Sequence, residues 1–343
     1  MTHNILQALN VGIVGCGSIA RAHIKGIQEK IEGIRFTAYY NRTLEKARQF
    51  LNEFGGDIAT DDIQLFSRLT NIQAVYVCSA HNVHLEQLEV LKNMGVPIFM
   101  EKPLVLLHSD FEKMWNIIDK HEVRFFSGYK TRFNPLVSEA KKMIGKPYLI
   151  TAQVADKKWD EGRWTSDPEK GGGHIISQGV YAADALRYLS DSEPVEVFAV
   201  GVSSNSTIGT IDKINATYTF NNGSIGNLSV VDTAVGAGVS KFFTQAFGER
   251  LNISLMDRNT TLFVQRQNAD KPEKYTAEES GFIEQSRIFF NCIRNSSVFP
   301  MDFREGWMPS EMIFCALKSV QLKKIVKIDA NRLGKKSLES CVL

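Results

Sequence analysis

A chain of 343 residues exceeds the roughly 100–200 residues of a single domain, so two domains are expected. A hydrophobic fraction of 43% and a charged fraction of 23% exclude a disordered or fibrous chain, and a formal charge of +2 is too balanced for a nucleic-acid footprint. No apolar run is long enough to span a bilayer, residues 1–10 lack the pattern of a secretory signal, and Cys16, Cys78, Cys292, Cys315 and Cys341 lack CxxC spacing. The expectation is a cytoplasmic protein with reduced thiols, no metal site, and neither nucleic acid nor membrane as a partner.

In chain order, NVGIVGCGSIARAHIKGI starts with a short apolar run, passes through Gly15, Cys16 and Gly17, and enters a helical pattern at Ser18. This predicts strand, tight turn, helix. The spacing of Gly15, Gly17 and Ala20 lets the backbone turn sharply and approach a pyrophosphate, which would rest on the free N–H groups of the helix start, around Ser18 and Ile19. IRFTAYYNRT predicts a second strand ending at Asn41, LEKARQFLNEF a helix, AVYVCSA a third strand, HLEQLEVLKNMG a helix closed by Gly95, and VPIFMEKP a further strand. DFEKMWNIIDKHE and VRFFSGY add one more helix and strand. Such alternation is the mark of βαβ units and a parallel sheet, so residues 1–130 read as a Rossmann dinucleotide-binding domain.

After a helix over NPLVSEAKKMIG the character changes. PYLITAQVAD, PVEVFAVGVSS, KINATYTFNNGSIGNLSVVDT, FFTQAFGERLNISLMD and TLFVQRQ are rich in β-branched and aromatic residues, with a hairpin signal at Asn222-Gly223. Residues 131–343 read as an α+β domain with a mostly antiparallel sheet, one face packed on helices, and a helical stretch from Phe282 to about Val320. An apolar-rich open sheet face is normally covered, which predicts a homodimer or homotetramer.

EKP (Glu101, Lys102, Pro103), together with GCGSIA, YKTRFNP and EKGGG followed by GVYAAD, resembles the Gfo/Idh/MocA family of glucose-fructose oxidoreductase, inositol dehydrogenase and their relatives. The likeness runs over nearly the whole chain. It implies an N-terminal Rossmann domain, a C-terminal domain with a large open sheet for substrate binding and oligomerisation, NAD or NADP as cofactor, and redox chemistry at a hydroxyl carbon of a sugar, cyclitol or sugar nucleotide.

Lys102 ends a predicted parallel strand, where open α/β sheets bind ligands, and the following proline favours an extended backbone. Taken alone, a Lys-Pro pair reads as a solvated surface lysine. The resemblance implies instead that Lys102 hydrogen-bonds the reacting oxygen and stabilises a developing alkoxide. It also implies that His84, Ser79, Ala80 and Glu101 contribute to the cofactor pocket. An acid at the end of the second strand would hold a ribose and repel a 2'-phosphate; Asn41 removes the repulsion and Arg42 could pair with the phosphate. The other reading leaves Arg42 solvated and Asn41 serving NAD, so NADP or NAD is expected, with NADP favoured.

The family usually carries Asp, His and Asp after its glycine run, at positions held here by Ser177, Tyr181 and Asp184. Apolar residues at Ile176, Val180, Ala183 and Leu186 predict a helix that turns those three positions to one side, and Gly171 to Gly173 allow close approach of a ligand. Three readings stay open. Tyr181 could carry the proton if Lys102 lowers its pKa, as tyrosine does at about this position in glucose-fructose oxidoreductase and the dihydrodiol dehydrogenases. Lys102 could act alone with water while Tyr181 packs, or the site could have decayed into a regulatory or scaffolding module. The first reading is favoured: Lys102 and Tyr181 catalytic, with Ser177, Asp184 and Arg132 positioning the substrate. KKWDEGRWTSDPEKGGG resembles the family's substrate loop, in which Trp159, Arg163 and Trp164 would cover a sugar ring; the alternative is that the tryptophans anchor the loop.

Overall fold

The computed structural model describes residues 8–160, 162–203, 210–236, 238–278 and 280–333, so Cys341 lies outside the described residues. The other four cysteines are buried free thiols. The first half of the chain alternates β1 (Leu9–Val14), α1 (Ser18–Lys30), β2 (Ile34–Tyr40), α2 (Leu44–Phe54), β3 (Ile58–Thr60), α3 (Ile63–Ser67), β4 (Ala74–Val77), α4 (His84–Leu91), β5 (Ile98–Glu101), α5 (Asp110–Lys120) and β6 (Phe125–Gly128). Their strands form one six-stranded parallel sheet in the order β3-β2-β1-β4-β5-β6. β4 and β5 are buried at every position, as strands covered on both faces must be. β3 and α3 are too short to show a hydrophobic period, and the sequence pattern does not reveal them.

A second helix and sheet follow: α6 (Pro135–Ile144), β7 (Leu149–Ala155), α7 (Gly173–Ser190), β8 (Pro194–Val202), β9 (Lys213–Phe220), β10 (Ile225–Val231), β11 (Phe242–Phe247), β12 (Leu251–Met256), β13 (Thr261–Arg266) and β14 (Glu273–Thr276). α8 (Phe282–Arg294), α9 (Phe303–Leu322) and a two-residue β15 (Val326–Lys327) end the described chain. The nine strands run β14-β13-β12-β11-β7-β10-β9-β8-β15, antiparallel except for the β7–β10 pair. Asn134 starts α6 by accepting hydrogen bonds from Leu136 and Val137 N–H, with Pro135 in the first turn, where its missing N–H costs nothing.

Alternation sorts the second sheet. Ile150, Ala152 and Val154 of β7 and Leu228 and Val230 of β10 face inward under α7, while Phe198, Val200, Val202 and Ile225 are exposed on the opposite face. α8 returns to the first sheet, where Phe289 and Phe290 join Tyr76 and Phe99 in one aromatic cluster; Tyr76 and Phe99 stack with centroids 4.3 Å apart. α7 thus has the second sheet beneath it and reaches the end of β5. The contact from Lys102 to Ser177 thus joins the end of the first sheet to a helix lying on the second. No helix among the described residues is long and apolar enough to cross a membrane.

Candidate active site

Between β1 and β4, where the strand order departs in two directions, the backbone of Gly15 sits at φ +93°, and a Cβ there would lie 2.6 Å from the Ser79 backbone nitrogen. Only glycine satisfies both constraints. Gly17 precedes α1 in extended conformation, its position facing open space, and no side chain caps the helix. Gly17, Ser18 and Ile19 are exposed, so the first N–H groups of α1 are free for an anion. This cradle fits a dinucleotide pyrophosphate.

Cys16 takes part through its backbone: its N–H donates to Asn41 Oδ1 at 3.1 Å, while burial pushes its thiol up to about 12. Asn41 Nδ2 donates in turn to the Thr43 carbonyl at 3.0 Å. The Asn41 amide thus braces the turn while its oxygen and nitrogen each keep one more hydrogen-bonding capacity. Arg42 beside it is exposed. Two further residues lie beneath the turn. His84 is fully buried under the EKP turn, with Nδ1 3.2 Å from the Leu104 carbonyl and burial lowering its pKa to about 4, so it props the turn. Glu101 is buried against His23 of α1 at 2.7 Å; burial alone would raise its carboxyl, but His23 and Lys102 hold it below the usual range. Ser79 and Ala80 do border the glycine turn, and the Ser79 hydroxyl donates to Gln87.

Lys102 directly follows β5 and forms a cis peptide with Pro103. Its ammonium donates to the Ser177 carbonyl of α7 at 2.9 Å and lies 4.3 Å from the centroid of the Tyr181 ring. Burial lowers its pKa to about 7; Lys130 and Lys241 push the same way, and Glu101 opposes them. The expected lowering of Tyr181 does not occur. Lys102 faces the aromatic ring, and burial drives the phenol well above its usual value, with Glu101 and Asp184 adding to the rise. Ser177 contributes its carbonyl to Lys102, and its side chain is buried.

Asp184 and Arg132 come together, but on each other. Arg132 Nε donates to Asp184 Oδ1 at 3.1 Å and its Nη1 to Glu305 Oε2 at 2.7 Å. Arg187 completes the network on Glu305 and Glu193. Asp184 is fully buried, which raises its carboxyl above the usual value despite Arg132; Glu305, also desolvated, is taken by Arg187 and Arg132 down to about 2. The pair is first of all a structural contact: buried charges need partners, and these have found each other.

The segment after β7 folds back over the glycine run, and a Cβ on Gly171 would lie 2.3 Å from Thr165 Cα. Trp159 is half-buried, its indole N–H donating to Asp156 at 3.3 Å, with the exposed Arg163 stacked 5.1 Å from its ring centroid. Trp164 is exposed and sets its edge against His81, whose Nδ1 lies 3.1 Å from the Gly171 carbonyl. His81, Asp156, Lys241 and His174 stand in contact with these candidate residues and were not singled out by sequence reasoning. His174 alone left a signal, since it stands three positions before Ser177 on the same helical face.

Comparison with known proteins bears on the family and the fold. A family model described as an oxidoreductase family with an NAD-binding Rossmann fold matches residues 9–129, and that of the GFO/IDH/MocA C-terminal domain matches residues 140–253, together well over half the chain. The chain is similar to myo-inositol 2-dehydrogenase of Thermotoga maritima, 23% identical over 94% of this chain and 99% of that protein. It is also similar to scyllo-inositol 2-dehydrogenase (NADP(+)) of Bacillus subtilis, 27% identical over 50% of this chain and 56% of that protein. Among solved structures, levoglucosan dehydrogenase in complex with NADH and levoglucosan shares the fold, with a TM-score of 0.84 at 18% identity over 94% of this chain and 99% of that one.

Proposed function

The chain belongs to the Gfo/Idh/MocA family of oxidoreductases with an NAD-binding Rossmann fold, and from that premise we propose its substrate class and the roles of its residues. It is an NAD(P)-dependent oxidoreductase of CH–OH carbons. The substrate is a secondary alcohol, or the matching ketone, of a sugar, cyclitol or sugar nucleotide. When bound, the nicotinamide supplies or accepts the hydride.

One observation carries the assignment of roles: Lys102 combines a pKa of about 7 with a fixed position at the end of β5. A group that titrates near neutrality gives and takes a proton at working pH. Lys102 takes the hydroxyl proton in the oxidising direction and returns it to the carbonyl oxygen in the reducing one, and its cationic form stabilises the alkoxide between. The Tyr181 ring holds the ammonium by its face, and its hydroxyl, kept protonated by burial, remains a donor to substrate. Trp159, Arg163 and Trp164 cover the substrate. The backbone of Gly15 to Ile19, with Ser79 and Ala80, holds the dinucleotide, and Arg42 receives a 2'-phosphate, which favours NADP over NAD.

Residues 1–130 serve as the dinucleotide domain and 131–343 as the substrate and oligomerisation domain. The exposed Phe198, Val200, Val202 and Ile225 are the face through which a cytoplasmic homodimer or homotetramer would form. The test is nicotinamide absorbance while the purified protein meets free sugars, cyclitols and sugar nucleotides, with NAD and NADP in both directions. Substrate-dependent change is expected. Silence from protein that binds dinucleotide would point to a site no longer catalytic.

A further inference from the structure

The face of α7 that meets Lys102 begins a turn earlier than Ser177. His174, Ser177, Tyr181 and Asp184 follow at intervals of three, four and three residues, which places them in one stripe along the helix. His174 is 4% exposed, and neither ring nitrogen has a hydrogen-bond partner. A buried polar group left that way is destabilising, and a phenylalanine or leucine would fill the same space without that cost.

The surroundings of His174 belong to the active site. Its ring meets the edge of Trp159 at 4.9 Å, and the Asp156 carboxylate holds both the Trp159 indole and the Lys241 ammonium, the latter at 2.7 Å. Lys241 neighbours Phe242, with its ammonium 5.6 Å from the ring centroid, and Phe242 meets the Tyr181 ring at 5.3 Å. A line of contacts that starts at His174 therefore ends at the ring beneath Lys102. Along α7 itself, three residues separate His174 from Ser177, the anchor of Lys102, a rise of about 4.5 Å.

We propose that His174 is a specificity-determining residue of this site: its imidazole hydrogen-bonds a ring hydroxyl of the substrate remote from the carbon served by Lys102, with Trp159 giving way to admit it. The proposal rests on the polyol reading above. A neutral imidazole has one donor and one acceptor, so a hydroxyl can pair with it either by accepting from the ring N–H or by donating to the other nitrogen. Burial keeps the ring neutral, lowering its pKa to about 4 against the pull of Asp156 and Asp232, so both functions persist at physiological pH. Sites that hydrogen-bond a hydroxyl reject analogues lacking it, because their own buried groups are then left without partners.

The test compares wild type with His174→Phe and His174→Asn on myo-inositol, scyllo-inositol, D-glucose, D-xylose, levoglucosan and UDP-glucose, with NADH or NADPH affinity read separately by fluorescence. On the compound that wild type turns over, His174→Phe is expected to raise KM by about 5- to 100-fold, the equivalent of one buried hydrogen bond, with kcat changed less than about threefold. Cofactor affinity stays as in wild type, the melting temperature does not fall, and His174→Asn, which keeps a donor and an acceptor, recovers part of KM. An unchanged KM with a lowered melting temperature, in an enzyme that still turns over, marks a structural histidine and overturns this inference alone. If wild type turns over none of the six compounds, the polyol reading falls first and the inference with it.

Discussion

At the proposed dinucleotide end of the site the groups on offer are backbone N–H groups from one continuous run, Gly15 to Ile19, shaped by a left-handed glycine and the free start of α1. At the proposed substrate end they are side chains from separate segments: Lys102 after β5, Asp156 and Trp159 after β7, His174 and Tyr181 on α7, and Lys241 before β11. The difference teaches where each end tolerates change. Backbone geometry constrains mainly which positions must be glycine, whereas side-chain chemistry can be traded if neighbours compensate. Here Ser177 and Tyr181 stand where the family resemblance implies Asp and His, while the glycine turn has the GxGxxA spacing.

The sharpest way to break this comparison is at Lys102. Lys102→Ala is expected to lower kcat by about 10²- to 10⁴-fold with cofactor affinity near wild type, as measured by steady-state kinetics and nicotinamide fluorescence. With a pKa of about 7, the neutral amine gains population as pH rises through 7, so oxidation should speed up across that point and reduction should slow. A profile flat between pH 6 and 8 in both directions would take the proton away from Lys102.

Next is the buried network. Arg132→Met leaves Asp184 without its partner, and the expected loss is about 3–5 kcal/mol in denaturant unfolding. A stable variant with a raised KM would instead return Arg132 to the substrate. At the dinucleotide end, Arg42→Ala should weaken NADPH by about 10- to 100-fold and leave NADH within about twofold, in fluorescence titrations. Equal losses for both would show that Arg42 does not read the 2'-phosphate.

The smallest effect is expected at Tyr181. Because Lys102 rests on the ring face, Tyr181→Phe keeps that contact and should lower kcat less than about fivefold. A loss beyond about 100-fold would make the hydroxyl a proton carrier and bring the two ends' logic closer, with one residue chemically decisive.

The sequence by itself determined the parts governed by local spacing: the alternation of short β-rich runs with helices, the GxGxxA turn, the Asn222-Gly223 hairpin and the helical face carrying Ser177, Tyr181 and Asp184. Each depends on residues within a few positions of one another, so periodicity and turn chemistry suffice. Three-residue β3 and two-residue β15 fell below that resolution. What each polar side chain does was decided only by the tertiary structure. Lys102 finds Ser177 across 75 residues, Arg132 finds Asp184 across 52, and His81 finds Gly171 across 90. Burial then sets the protonation of Lys102, Tyr181 and His174. Desolvation and pairing depend on which distant groups close around a side chain, and no local pattern carries that information.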